Sequence, residues 1–80
     1  MRIKFTQSAR KHRIGKEHAL FVIRHYSPKI NIGEGQDGED QHIWIGEDDR
    51  GLQLEITAIV LADYLLVTHV MPRDFRRGKK

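Results

Sequence analysis

The 80-residue sequence contains no cysteine, which excludes disulfide bridges and thiolate metal ligands. It also has no apolar run near the ~18 residues that a membrane-spanning helix needs, and no signal-peptide core follows its basic start, Met1-Arg-Ile-Lys4. These absences predict a cytoplasmic protein, and the length predicts a single domain over residues 1–80. A chain this short buries roughly 60% of its unfolded surface, so its core must come from a few segments.

Charge of opposite sign is segregated along the chain. Residues 1–29 contain eight lysines or arginines and one acid, residues 30–63 contain one arginine and nine acids, and residues 64–80 contain five lysines or arginines and one acid. Two basic ends around an acidic middle favour an anionic partner such as nucleic acid. The alternative is a solvated surface with a basic tail over about residues 73–80.

Two apolar runs, Gly51–Leu61 and Tyr64–Met71, alternate in places and predict an antiparallel hairpin at the centre of the core. A further strand is expected at 42–45, joined to the hairpin by a type I turn, Asp48–Gly51, with the glycine in the left-handed conformation. Between about residues 30 and 41, glycines and acids predict an acidic loop.

The N-terminal third predicts a strand followed by two helices. Arg2–Phe5 alternates as a short strand, and Thr6 or Ser8 could cap a short helix over Gln7–His12. A second helix is expected from Lys16 to about Tyr26, ended by Pro28. The predicted fold class is therefore α+β in the order β-α-α-β-β-β, with both helices on one face of a curved antiparallel sheet. One stripe of the second helix (Ala19, Val22, Ile23, Tyr26) would meet one sheet face (Leu54, Ile56, Ala58, Val60, Leu66, Val70).

Five histidines raise the question of a metal, but their spacing is poor. His18 and His25 are seven residues apart on the predicted helix, about 10 Å along its axis, so they cannot chelate one ion together. We therefore predict no metal site and no cofactor.

The sequence has more residues suited to phosphate chemistry than to metal binding. RNA cleavage by transesterification needs a base, a cation at the phosphate and an acid for the leaving oxygen. His12 and His69 could transfer protons, and Arg73 and Arg76 could bind phosphate in bidentate fashion. The other candidate RNA-binding residues are Arg10, Arg13, Lys16 and Arg77. The alternatives are a solvated helix face around Arg10–Arg13 and a disordered tail over Arg76–Lys80.

The register of the hairpin decides what His69 does. With a two-residue loop, His69 lies opposite Ile56 and is a buried core histidine. With a three-residue loop, His69 lies opposite Thr57 on a more polar face, with Glu55 diagonally beside it. The second register leaves the other face apolar and is favoured, but both remain open.

Three stretches carry a resemblance to a known family: Lys11-His-Arg-Ile-Gly-Lys-Glu-His-Ala-Leu-Phe-Val-Ile23, the turn Gly46-Glu-Asp-Asp-Arg-Gly51, and His69-Val-Met-Pro-Arg-Asp-Phe-Arg76. They resemble the toxins of bacterial type II toxin–antitoxin systems, in the RelE/ParE superfamily and nearest its BrnT-like members. Arg13 departs from the family's frequent glycine, and Thr68-His-Val-Met-Pro-Arg73 replaces its late Arg-Ile-Ile-Ser-Ala-Arg pattern.

The resemblance implies an endoribonuclease (an mRNA interferase) that cleaves mRNA without metal and is neutralised by a cognate antitoxin protein. The resemblance implies that Lys11, His12 and Arg73, which match positions of the family pattern, are site residues. His69, Glu55 and Arg76 are candidates because their side chains have suitable chemistry. Two alternatives remain: a non-catalytic RNA- or protein-binding module of the same fold, and a scaffold domain whose charges only keep it in solution.

Overall fold

The computed structural model describes residues 2–73 of the chain, so Arg76, Arg77 and most of the predicted basic tail lie outside the described residues. The described part is an α+β fold with one α-helix and a five-stranded mixed sheet. Its elements are β1 (Arg2–Phe5), a 3-10 helix (Ser8–Arg10), α1 (Lys16–His25), β2 (Lys29–Asn31), β3 (Gln41–Glu47), β4 (Gln53–Val60) and β5 (Tyr64–Pro72). Neither helix in this part is long and apolar enough to cross a membrane.

The predicted second helix is confirmed as α1, ending one residue earlier than expected. Ala19 and Val22 are fully buried against the sheet, as the apolar stripe predicted. Tyr26 follows in an extended conformation, with its ring against Gly46 of β3. A Cβ at Gly46 would lie 2.6 Å from ring atoms of Tyr26, so glycine is required for this contact.

The predicted first helix is wrong. Only the 3-10 helix forms in this region, and Thr6 Oγ1 accepts the Ala9 N–H at 3.1 Å near its start. Arg13 then adopts a backbone φ of 56°, and its N–H donates to the Arg10 carbonyl at 3.0 Å. The backbone hydrogen bonds of this segment join residues three apart, which makes a 3-10 helix and not an α-helix. Arg13 then ends the helical conformation, because a left-handed residue cannot continue a right-handed helix.

The sheet order is β1-β5-β4-β3-β2, and β3, β4 and β5 form the predicted antiparallel meander. The sheet is not wholly antiparallel as expected, because α1 carries the chain across it and β1 pairs parallel with β5. The strand β2 was also not predicted: it falls at the start of the expected acidic loop and pairs with β3. The expected turn Asp48–Gly51 is present, with the Gly51 N–H on the Asp48 carbonyl at 3.0 Å and a Gly51 φ of 83°.

One face of the sheet, the core face, contacts α1 and the 3-10 helix. Its buried strand residues, with Ala9, Ala19 and Val22 of the helices, form the core: Trp44, Leu54, Ile56, Ala58, Leu65, Val67 and Val70. We call the other side the open face; it carries residues that are half-buried or exposed. Leu66, expected on the core face, pairs with Ile59 on the open face instead.

Candidate active site

A bulge in β5 places His69 on the open face. Near the turn, Val60 pairs with Leu65 and the Leu61 N–H donates to the Tyr64 carbonyl at 2.9 Å, as a two-residue loop requires. Beyond the bulge, His69 pairs with Thr57, as expected for a three-residue loop. Thr68 is the extra residue that joins the two registers. Each of the two registers expected from the sequence is therefore present in one half of the hairpin.

His12 reaches this position from the edge of the sheet. The parallel pairing of β1 with β5 ends at Phe5 and Val67, and the chain from Thr6 onward runs beside the second half of β5. The His12 ring meets the His69 ring edge-to-face, with ring centroids 6.2 Å apart and planes at 84°. His12 is exposed and His69 is half-buried, so solvent and ligands can reach this pair.

Glu55 and Arg73 contribute charge next to the histidine pair. Glu55 pairs with Met71, two residues from His69 along β5 and on the same face. Arg73 follows β5, its N–H donates to the Gln53 carbonyl at 2.9 Å, and its Nε lies 3.9 Å from Glu55 Oε1. Both side chains are about one-third exposed, at 32% and 35%. The open face thus brings a carboxylate and a guanidinium to the end of β5 that holds His69.

Several exposed cations lie on the same segment of the chain as His12. Lys11 precedes it on the same exposed segment, and the other predicted RNA-binding residues of this region, Arg10, Arg13 and Lys16, are also exposed. Lys16 Nζ lies 5.7 Å from the centroid of the Phe5 ring, at the end of β1. This edge of the molecule therefore presents several positive charges to solvent, as an anion-binding surface does.

The cluster has the groups that phosphodiester cleavage needs. An imidazole can take or give a proton near neutral pH, a guanidinium can bind phosphate oxygens, and the carboxylate can hold the guanidinium in place. Two rings 6.2 Å apart can both reach one phosphodiester, since its attacking and leaving oxygens lie on opposite sides of phosphorus.

A second group of polar side chains, which the sequence did not predict, joins α1 to the β3–β4 turn. His18 Nδ1 lies 2.6 Å from Asp49 Oδ1. His18, Asp48 and Asp49 each offer one atom that could bind a metal, and these three atoms lie within 4.8 Å of one another. Asp48, however, already accepts four hydrogen bonds: two from backbone N–H groups, of Arg50 and Leu52, and two from the Arg50 guanidinium. A metal would compete with all four, so this group fastens the turn.

Asp48 is ionised despite its burial. Burial alone would raise the pKa of Asp48, but hydrogen bonds from the Arg50 side chain and from the Leu52 and Arg50 backbone outweigh that cost, so the pKa lies below its usual value. The Arg50 contact at 2.7 Å supplies the compensating charge. The same hydrogen bonds that lower the pKa therefore hold the turn closed.

No protein-family model, curated protein or solved structure matches this chain. The geometry brings His12, His69, Glu55 and Arg73 to one end of β5, with Lys11 on the neighbouring segment. Two further cations, Arg2 and Lys4, were not among the residues predicted for the site; they alternate along β1 on the open face. The strand assigned to Arg2–Phe5 already implied that they share a face.

Proposed function

We propose that this protein is a metal-independent endoribonuclease, a cytoplasmic toxin of a type II toxin–antitoxin system that cleaves mRNA and so inhibits translation. The observation that carries the proposal is the edge-to-face pair of His12 and His69, next to Glu55 and Arg73 and beside exposed cations. Its proposed partners are RNA and a cognate antitoxin protein whose acidic or amphipathic segment covers the basic surface.

The proposed reaction needs two proton transfers, one from the RNA to the protein and one from the protein to the RNA. His69, as a neutral imidazole, takes the proton of the RNA 2′-hydroxyl while the 2′-oxygen forms a bond to phosphorus. The bond from phosphorus to the 5′-oxygen breaks, and His12, as an imidazolium, gives that oxygen a proton. The products are a 2′,3′-cyclic phosphate and a free 5′-hydroxyl. Lys11 and Arg73 stabilise the charge that develops on the phosphate oxygens.

Arg73 can release Glu55 to bind phosphate. An ion pair with both partners about one-third exposed and 3.9 Å apart contributes on the order of 0–1 kcal/mol. A bidentate bond from a guanidinium to phosphate is stronger, because it makes two parallel charge-assisted hydrogen bonds. Glu55 therefore helps to orient Arg73 when no substrate is bound, and phosphate takes the place of Glu55 when RNA binds.

Membership of the RelE/ParE superfamily, nearest the BrnT-like toxins, is part of the proposal, with the 3-10 helix in place of the first helix. Arg13 supports it. The resemblance aligns Arg13 with a position that is often glycine in the family, and Arg13 has a φ of 56°. Glycine adopts that conformation at little cost, so the family's residue fits the backbone of this chain.

His69→Ala tests the proposal. We expect the cleavage rate of a labelled RNA in the presence of a chelator to fall by about 10²–10⁴. The melting temperature should change little, since His69 lies on the open face. Product ends are identified as cyclic phosphates by their mobility before and after mild acid. The matched control is His25→Ala, which replaces an exposed histidine at the end of α1 and should leave the rate unchanged.

Several outcomes contradict the proposal. A folded His69→Ala protein that cleaves RNA as fast as the original would remove His69 from the reaction, and an unfolded one would make it a structural residue. If the original protein binds RNA and leaves it intact, the chain is a non-catalytic binding module. Growth arrest on induction in a bacterium, relieved by the product of the neighbouring gene, is the expected result in cells.

A further inference from the structure

Three side chains at the start of β5 and on β1 share the open face with the candidate active site. Arg2 pairs with Tyr64 and Lys4 pairs with Leu66, and Leu66 pairs with Ile59, two residues from the Thr57 that faces His69. We propose that Arg2, Lys4 and Tyr64 form a second subsite, the Tyr64 subsite. It binds one nucleotide of a single-stranded RNA whose scissile phosphate lies at His12 and His69. The identity of the ligand rests on the proposed function.

The Tyr64 ring already makes a cation–π contact. Lys4 Nζ lies 4.5 Å from the centroid of the ring, and the Lys4 side chain is exposed. A cation over an aromatic ring at an exposed site is a weaker contact than a base stacked on the same ring. A nucleotide can therefore replace Lys4 over the ring, and Lys4 then turns to the phosphate of that nucleotide.

The spacing of the cations suits an extended single strand. Alternate residues of a strand are about 6.6 Å apart, so Arg2 and Lys4 are separated by a distance close to that between neighbouring phosphates. Tyr64 and His69 are five residues apart with one bulged residue between them, which is roughly 13–16 Å along the sheet. About two nucleotides of an extended strand span that length.

A duplex does not fit this arrangement. The Tyr64 ring is half-buried in the sheet face, so a base has to leave its own stack and lie flat against the sheet to contact it. Sequence-independent binding of single strands uses this combination of a basic track and an aromatic platform. In double-stranded RNA the bases are stacked and paired, and proteins contact mainly phosphates and 2′-hydroxyls.

Binding is measured by fluorescence anisotropy with a short labelled RNA whose 2′-hydroxyls are all methylated, so that it cannot be cleaved. We expect Tyr64→Leu, which keeps an apolar side chain over the sheet, to weaken binding about 5- to 100-fold. Lys4→Ala should lower the slope of log affinity against log salt by about 0.7, the loss of one phosphate contact. Lys29→Ala is the matched control, because Lys29 is an exposed cation at the opposite edge of the open face.

The outcomes separate this inference from the proposed function. If Tyr64→Leu and Lys4→Ala bind the single strand as tightly as Lys29→Ala while the protein still cleaves RNA, the subsite is wrong and the ribonuclease stands. If both variants lose single-strand binding and the protein does not cleave RNA, Tyr64 and Lys4 stand as a nucleotide-binding site, and the ribonuclease is wrong. Equal losses on duplex RNA, or loss of a bound partner protein with RNA affinity unchanged, overturn the subsite.

Discussion

The two faces of the β4–β5 hairpin differ in what they contribute. On the core face, Leu54, Ile56 and Ala58 have no exposed surface. On the open face, the intervening Glu55, Thr57 and Ile59 are half-buried, and Thr57 lies opposite His69. Since successive residues of a strand point to opposite sides, one segment supplies both the core and the candidate site. Substitutions of neighbouring residues should therefore have different consequences.

The largest difference should appear between two isoleucines on opposite faces. Ile56 is fully buried, whereas Ile45 of β3, on the open face, is 46% exposed. We expect Ile56→Ala to lower the free energy of unfolding by about 2–4 kcal/mol, because it leaves a cavity in the core. The melting temperature should then fall by roughly 10–30 °C.

Ile45→Ala is the matched control, with an expected cost of about 1 kcal/mol or less, since exposed positions contribute little. Thermal and urea unfolding of the two variants measure the difference. Equal losses would show that the open face is also covered, or that the core is elsewhere.

Asp48 should give the next largest effect, since it is the one buried polar residue of the described part. Asp48→Asn removes the negative charge and turns an amide N–H₂ toward the Arg50 guanidinium, which should cost about 1–3 kcal/mol at neutral pH. Asp63→Asn, the same change at an exposed residue of the β4–β5 turn, should cost less than about 0.5 kcal/mol.

The effect of Asp48 should depend on pH in one direction. Its pKa is lowered in the folded protein from an ordinary value of 3.8. The charge therefore stabilises the fold above that unfolded value, and this contribution is lost as pH falls through the folded pKa. The difference between the original protein and Asp48→Asn should therefore be constant near neutral pH and shrink below about pH 4. A difference that grows on acidification would contradict this assignment.

The sequence predicted those elements whose signals are long or chemically specific. The stripe Ala19, Val22, Ile23 and Tyr26 covers about two helical turns and located α1 to within one residue. Asp48–Gly51 has the residues that its turn type demands. The strand β2 has only three residues, Lys29–Asn31, too few to show a period. The segment of the expected first helix makes only 3-10-type hydrogen bonds, and the Arg13 that follows takes a conformation that is rare for its residue type.

The site was partly predictable for a related reason. The alternation of apolar and polar residues in β5 fits the two-residue-loop register before Thr68 and the three-residue-loop register after it. The pattern alone therefore could not identify one register for the whole strand. A bulge shifts the alternation by one residue without any change in composition, and its position depends on pairing with β4. The contact of His12 with His69 depends in turn on the parallel pairing of β1 with β5, which the sequence did not indicate.

The smallest predicted effect concerns the bulge itself. Thr68 Oγ1 donates to the Thr57 carbonyl at 3.4 Å, across the point where the ladder is interrupted. Thr68→Val keeps the shape of the side chain and removes this hydrogen bond, so we expect a loss of about 0.5–1 kcal/mol. Thr57→Val is the control, since only the backbone of Thr57 takes part in that bond, and it should leave stability almost unchanged. Equal losses would mean that the hydroxyl does not fix the bulge.

Deleting Thr68 tests the same bulge independently. Val67 already pairs with Ala58, so the deletion brings His69 directly opposite Thr57 in an uninterrupted ladder, and Val70 stays on the core face. We therefore expect a folded protein with His69 still on the open face, but with less local twist and a changed approach of the His12 ring. Circular dichroism and melting show whether the fold survives. An unfolded deletion variant would show that the bulge is needed for folding as well as for aligning the two histidines.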